Sequence, residues 1–391
     1  MRIPRVAIIT PGTFPIPSGS SSSVERVVEH VVSLSQSSMK AVIYSRRWPG
    51  QSSYGYVGDV PCVRVSSSGG RAYVKQVIRQ LRSYKPDIIQ IENRPRFVRM
   101  LQRAFPHARI WLSLHSLTFI SSKYVPRHVL VGMLQKVERI WVNSHYLYRQ
   151  VAALAPSCAA RMVINPLGVD IKRFKSRWSL EGAAAHVEGK RLNGWEHKQI
   201  VMYVGRLIPL KGVHYFLQAI PQLVEKHPNT MFVVVGSAFY GSTRKTKYVR
   251  KLEQWGSRYP HHVRFIPYVQ HEDVPKWYAM ADVVVVPSVD KEAFGLVNVE
   301  AMATGVPIVA SRAGGIQEVI LNEETGILVS PTQLKLQLGS AITRLLENAG
   351  LRERLGRAGV RRVEQFFTWE HTAERWMNEV RASDSGTPAR I

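Results

Sequence analysis

The chain alternates short apolar runs with longer amphipathic stretches, the rhythm of an α/β protein. In the first half the apolar runs Val6–Thr10, Ala41–Ser45, Ile88–Glu92, Ile110–Leu114 and Ile140–Asn143 predict strands. Val24–Leu34 and Arg71–Tyr84, lying between them, predict helices. On the second of these helices Val74, Val77, Ile78 and Leu81 share one face, while Arg71, Lys75, Arg79 and Arg82 share the other. The plain reading of that basic stripe is a solvated face.

The rhythm breaks at residues 176–198, where Trp178, Gly182, an alanine run, Gly189 and Gly194 show no strand pattern. A linker or a helix-plus-loop insertion is expected there. Strands are expected again at Ile200–Val204, Met231–Val235, Val263–Phe265, Val283–Pro287, Pro307–Ala310 and Gly326–Val329. Val213, Phe216, Leu217, Ile220 and Val224 recur at helical spacing, with Pro221 as an internal kink. After Phe366-Phe-Thr-Trp369 a last helix is expected to run to about Val380, before a polar tail. The expected plan is an α/β chain of two Rossmann-like domains, 1–175 and 199–365, joined by 176–198 and closed by 366–391. Parallel sheets facing across a cleft would offer ligands the carboxyl ends of their strands.

Composition narrows the class. A length of 391 residues suits two domains, and 45% apolar with 21% charged residues suits a folded globular chain. No run approaches the roughly 18 apolar residues of a membrane span. The apolar run after Met1 is too short for a signal peptide and meets Pro11 and Gly12. Cys62 and Cys158 form no CxxC pair, so neither a disulfide framework nor a zinc site is indicated, and a reducing cytoplasm is expected.

Charge adds a partner. The formal net charge is +25, with 28 Lys and Arg against 9 Asp and Glu in residues 1–190, and 25 against 19 in 191–391. The first half is therefore expected to meet something anionic. From charge alone that partner is a nucleic acid, an acidic polymer, an anionic lipid surface or a phosphorylated acceptor.

Two segments of the second half carry candidate chemistry. In Tyr203-Val-Gly-Arg-Leu-Ile-Pro-Leu-Lys-Gly212 a strand ends at Gly205, and Arg206 and Lys211 follow in the loop, where two cations can neutralise a diphosphate. Taken alone, the pair reads first as exposed surface cations. In Lys291-Glu-Ala-Phe-Gly-Leu-Val-Asn-Val-Glu300 a helix is expected to begin near Leu296, so the amides of Phe294, Gly295 and Leu296 would form an anion site at its N-terminus. Glu292 before that helix and Glu300 inside it can accept hydrogen bonds from sugar and ribose hydroxyls. Alone, they read as a helix-dipole partner and a solvated side chain.

Together these segments resemble the donor half of the retaining glycosyltransferases of family 4, which have the GT-B fold. The matching residues are Gly205-Arg206, Lys211-Gly212, Ala281-Asp282, Pro287-Ser288, Glu292-Ala-Phe-Gly-Leu, Glu300-Ala-Met-Ala-Thr-Gly-Val-Pro307, Gly314-Gly315, Glu318 and Thr325-Gly326, in family order from about 200 to 330. The resemblance implies that Arg206 and Lys211 bind the donor diphosphate, that Glu292 and the amides after it hold sugar and phosphates, and that Glu300 binds ribose. Ala293 stands where the family often has proline, and Val235-Gly-Ser237 where it more often has Gly-Asp or Gly-Glu-Gly.

The first half resembles the family's acceptor domain more loosely. Ser18-Gly19-Ser20 through Val24-Glu25 stands where many members have Gly-Gly-hydrophobic-Glu, with Gly19 as the best match to the phosphate-facing glycine. His115 ends a strand where the family often places a histidine near the reacting sugar. Asn165-Pro-Leu-Gly-Val-Asp170 with Phe174 matches the turn before the family's linker. Ile89-Gln-Ile-Glu-Asn-Arg-Pro95 is similar to the spore-coat-associated branch, and the helix after Phe366 resembles the segment that crosses back to the first domain.

The resemblance implies transfer of a hexosyl unit from a nucleotide sugar, expected to be uridine-linked, with retention by a front-face route that needs no protein nucleophile. Catalytic contacts fall to His115 and Glu292. No Asp-x-Asp occurs, so no metal and no cofactor beyond the donor substrate is expected. The implied acceptor is an anionic glycan, lipid-linked group or polymer, with peripheral contact to a membrane or spore surface; nucleic acid is not expected. Two rival readings stay open: a non-catalytic basic coat or binding protein, and a GT-B epimerase or phosphorylase.

Overall fold

The structure, a computed structural model, describes residues 3–17, 22–35 and 39–384. It divides into two compact units: one up to Leu167 together with the segment from Trp369, the other Gly168–Thr368. The boundary falls ahead of the expected 175/176 junction.

The first unit is built on an eight-stranded sheet. Its strands are β1 (Arg5–Ile9), β2 (Lys40–Arg46), β3 (Tyr54–Val57), β4 (Val60–Val65), β5 (Ile88–Glu92), β6 (Arg109–Leu114), β7 (Arg139–Val142) and β8 (Met162–Ile164). Their order is β3-β4-β2-β1-β5-β6-β7-β8, and all pairs are parallel except β3 with β4. The hairpin β3–β4 departs from the expected pattern. Tyr54 and Tyr56 point outward, 65% and 66% exposed, so β3 lacks the apolar run that marks a buried strand. Around this sheet pack α1 (Ser23–Ser33), α2 (Gly70–Tyr84), α3 (Val98–Ala104), α4 (Arg127–Leu134) and α5 (His145–Leu154). The basic stripe on α2 is exposed, as its spacing predicts.

The second unit holds β9 (Gln199–Val204), β10 (Thr230–Val235), β11 (Val263–Ile266), β12 (Val283–Val286), β13 (Ile308–Ser311) and β14 (Ile327–Val329). All are parallel, in the order β11-β10-β9-β12-β13-β14, which is the doubly wound arrangement of a nucleotide-binding fold. The four valines of β12 are 0–4% exposed, and each such side chain contributes roughly 1.5–3 kcal/mol by leaving water.

The segment 176–198 forms α6 (Leu180–Leu192), capped by Ser179 accepting from the Gly182 N–H, and it belongs to the second unit. Two anchors hold it. The Trp178 indole N–H donates to the Gly305 carbonyl at 3.0 Å, and Lys190 Nζ lies 2.6 Å from Asp282. The helices that follow are α7 (Val213–Lys226), α8 (Lys247–Gly256), α9 (Val274–Met280), α10 (Leu296–Ala303), α11 (Ile316–Val319), α12 (Leu334–Glu347) and α13 (Ala349–Phe366). Pro221 does not end α7, because it is exposed and the face that meets the sheet (Val213, Phe216, Leu217, Ile220, Leu223) is buried without it.

The last helix, α14 (Trp369–Asp384), returns to the first unit. Trp369 stacks on His30 with ring centroids 4.8 Å apart, Glu379 pairs with Arg139 at 3.1 Å, and Trp376 is 2% exposed. The Asn165 amide donates to the Thr372 carbonyl at 3.1 Å, while Asp170 turns the chain by accepting from the Lys172 amide.

Candidate functional site

In the second unit the strand order reverses between β9 and β12, and ligands of doubly wound sheets bind at that point, beyond the carboxyl ends of the strands. The two loops that leave there are the two motifs singled out in the sequence. They are stitched together: the Val289 N–H donates to the Leu210 carbonyl at 2.9 Å. Gly212 has φ +68°, and a Cβ on it would strike the Pro287 carbonyl, so only glycine allows this approach.

Lys211 Nζ forms an ion pair with Glu292 Oε2, and Ser288 Oγ donates to the same oxygen at 3.3 Å. Glu292 keeps only 16% of its side chain exposed. Burial pushes its carboxyl up, but Lys211, Ser288 and Arg206 outweigh that effect and hold it below its ordinary 4.5. The carboxylate is therefore ionised and its charge matched. The Glu292 carbonyl is fixed separately by the Gly315 N–H at 2.8 Å, which brings the Gly314-Gly315 loop to the same place. Arg206 lies over the Tyr240 ring at 5.4 Å.

Helix α10 begins at Leu296 with Gly295 as its N-cap, and no side chain caps this end. Its first-turn amides point out of the N-terminus toward the loop that carries Glu292. The Phe294 side chain turns inward, edge-on to Phe367 at 5.9 Å, so its amide rather than its ring is available to a ligand. Glu300 lies one turn inside α10 and is 6% exposed. Its carboxylate accepts from Tyr278 at 3.2 Å, and His271 Nε2 stands 3.3 Å away. Neither Tyr278 nor His271 carried a sequence signal; each comes to Glu300 through the fold, from α9 and the loop before it.

In the first unit the corresponding reversal lies between β1 and β5. His115 follows β6, and its Nε2 lies 2.8 Å from Glu92 Oε2 at the end of β5. Both are enclosed, at 10% and 3% side-chain exposure. Asn93 has φ +52° and accepts the His115 amide on its Oδ1 at 3.3 Å. Glu92 is a partner that sequence reasoning did not assign. Glu25, from the broken glycine motif, is 0% exposed; burial pushes its carboxyl up against the opposing effects of Ser22 and Arg94. Gly19 lies outside the described residues.

The model of the family described as "Glycosyl transferases group 1" matches residues 189–362. The chain is 31% identical over 370 residues to spore coat protein SA of Bacillus subtilis (strain 168), covering 95% of this chain and 97% of that protein. Among solved structures it is similar to sucrose-phosphate synthase from Thermosynechococcus elongatus, with TM-score 0.81, 22% identity, and 98% and 100% of the two chains covered. It is also similar to Anabaena HepE in complex with UDP, with TM-score 0.79, 19% identity, and 97% and 100% covered. These structural likenesses show a GT-B fold of two parallel-sheet domains.

Proposed function

The chain belongs to the glycosyl transferases group 1 and is a glycosyltransferase; on that premise we propose that it moves a hexosyl unit from a uridine-diphosphate sugar, with retention, to an anionic acceptor. The observation that carries the donor reading is the meeting of Arg206, Lys211 and Glu292 with an uncapped helix N-terminus at the strand-order reversal of the second sheet. Cations and amides there suit a diphosphate, and a matched, ionised carboxylate suits sugar hydroxyls. A uridine-linked donor is supported by the structural similarity to a protein solved with UDP.

In the proposed step the bond from the anomeric carbon to the β-phosphate oxygen breaks, and a bond to the acceptor oxygen forms on the same face. The acceptor proton passes to the leaving phosphate. Arg206, Lys211 and the amides of Phe294, Gly295 and Leu296 stabilise the charge left on the diphosphate, without a metal. Glu300 holds the ribose, Glu292 the donor sugar, and His115 orients the reacting sugar.

The acceptor reading rests on charge. Residues 61–137 contain 14 Lys and Arg against Asp87 and Glu92, and Glu92 is buried. Arg71, Lys75, Arg79 and Arg82 on α2, with Arg99 and Arg103 on α3, are exposed. Such a surface suits an acidic glycan, polymer or lipid-linked acceptor, and the likeness to a protein named for the spore coat supports a location at a spore surface.

Calorimetric titration with UDP, followed by a donor screen read by nucleotide release, tests the reading. Binding and turnover with a uridine-linked sugar are expected. Absence of binding to any nucleoside diphosphate would favour a basic, non-catalytic coat protein, and turnover without a new glycosidic bond would favour an epimerase or phosphorylase.

A further inference from the structure

His115 is enclosed on both sides of its ring, and the two sides differ. On the Nε2 side a line of hydrogen bonds leads back to the last helix. The Trp376 indole N–H donates to Gln90 Oε1 at 2.6 Å, and Gln90 Nε2 donates to Glu92 Oε1 at 2.7 Å. The second Gln90 amide hydrogen goes to Ser113 Oγ at 3.1 Å, so this amide is fully committed and cannot turn over. Glu92 thus accepts on Oε1 and presents Oε2 to His115, which must supply a proton from Nε2.

Beside the ring lies a pocket of about 40 Å³, partly open, lined by His115, Trp141, Asn143, Asn165 and Trp376 among others. Four buried atoms of those residues make no hydrogen bond within the protein: His115 Nδ1, Trp141 Nε1, Asn143 Oδ1 and Asn165 Oδ1. The two asparagine amides are oriented by the carbonyls they donate to, Asn143 to His115 and Asn165 to Thr372. Their oxygens are left as acceptors. In the neutral ring a proton on Nε2 makes Nδ1 an acceptor too, so the group then contains three acceptors and one indole donor. Two waters bonded to each other have three hydrogens to give and can take the indole N–H. A cavity of this size holds about two waters. The alternative tautomer would match two donors to the two asparagine oxygens, but it would set the Nε2 lone pair against Glu92 Oε2, an acceptor held in place by the Gln90–Glu92 arrangement.

We propose that Trp376, Gln90 and Glu92 are positioning residues that hold His115 in its Nε2–H tautomer, with about two ordered waters completing its Nδ1 side. The C-terminal helix thereby sets the proton position of the histidine that the proposed function places at the reacting sugar. The tautomer stands apart from that function; only its effect on turnover rests on it.

The test is nitrogen-15 NMR of the histidine rings in the full chain, with His115→Gln to identify the resonances. The native protein is expected to show a neutral Nε2–H ring with a proton slow to exchange. In Glu92→Gln the introduced amide has one acceptor, which Gln90 occupies, so its NH₂ faces His115 and the tautomer is expected to switch to Nδ1–H. Adding Gln90→Met frees that amide to turn its oxygen to His115, and the Nε2–H form is expected to return. This restoration is a readout that general loss of packing does not produce. Gln90→Met alone is expected to keep Nε2–H. An averaged or Nδ1–H ring in the native chain, or no switch in Glu92→Gln, would overturn the proposal, as would a crystal structure with a dry cavity. A switch of tautomer with kcat and KM for the donor unchanged supports the positioning and removes His115 from the proposed mechanism.

Discussion

The two sheets share the order of their six central parallel strands and place their special residues at the same reversal, yet the two places are built in opposite ways. At the β9/β12 reversal the charges stand near the surface of two loops, each a contiguous motif, and Glu292 is matched by Lys211 and helped by Ser288. At the β1/β5 reversal the polar groups are sunk behind the strand ends, drawn from β5, β6, β7, the residue after β8, and α14, and they form lines of hydrogen bonds around one carboxylate. Loop cations suit a ligand whose phosphates arrive and leave, since a cation can change partners at little cost. A buried network has no such freedom and suits a group that must keep one orientation.

The largest effect that would sharpen this contrast lies at Asp282, which anchors the segment 176–198 to the second unit. Its carboxylate, 8% exposed, meets Lys190 at 2.6 Å and Arg177 at 3.3 Å and accepts the Ile200 N–H at 2.9 Å. Asp282→Ala leaves two cations without their partner, and a loss of about 3–5 kcal/mol is expected in urea unfolding. Lys211→Ala comes next. Loss of one cation that meets the developing charge is expected to lower turnover about 10²-fold in the nucleotide-release assay, with the fold intact by circular dichroism. If Lys211→Ala left turnover with every donor unchanged, the second reversal would lose its assignment as the donor site.

Legibility in the sequence follows the same division. The strands β9, β10 and β12 are apolar runs buried on both faces, and the loops after β9 and β12 carry their glycines and charges consecutively, so the resemblance carried by those contiguous motifs brought Arg206, Lys211 and Glu292 to one place. The chamber behind His115 is different. Gln90, Trp141, Asn165 and Trp376 meet only because parallel strands separated by helices lie side by side, and no local period announces such a meeting. The hairpin β3–β4 was hidden because its outer strand exposes two tyrosines, and 176–198 read as linker or helix alike because the weak amphipathicity of α6 is replaced by anchors at Trp178 and Lys190. His271 and Tyr278 reach Glu300 through tertiary packing in the same way.

A smaller effect tests the close approach of the two donor loops. Gly212→Ala forces a Cβ onto the Pro287 carbonyl at a backbone angle of +68° that side chains disfavour. A loss of about 1–3 kcal/mol is expected in urea unfolding, with weakened UDP binding, because the shift moves Lys211 away from Glu292. Gly50 offers the control: its φ is +79° but nothing lies within 4 Å of its added Cβ, so Gly50→Ala tests the backbone angle without the collision.

The smallest effect is one of sign in the pH dependence of stability. Asp282 is pushed up by burial, but Lys190, Arg177 and the hydrogen bonds from Lys190 and the Ile200 amide outweigh this and hold it below its ordinary 3.8. A lowered carboxyl stabilises the fold at pH above 3.8, and that contribution is lost as pH falls through the folded value. Glu25 is the reverse. Burial raises it above 4.5 despite Ser22 and Arg94, so its contribution is present below 4.5 and is lost as pH rises through the folded value. Melting temperatures measured across the acid range should therefore move in opposite directions in two variants. Glu25→Gln, which cannot ionise, is expected to gain on the native chain as pH rises above 4.5. Asp282→Asn is expected to fall furthest behind it above 3.8 and to close the gap as pH drops. Parallel curves for the two variants would mean that both carboxylates are matched alike, and the contrast between the two units would then rest on their polar networks alone.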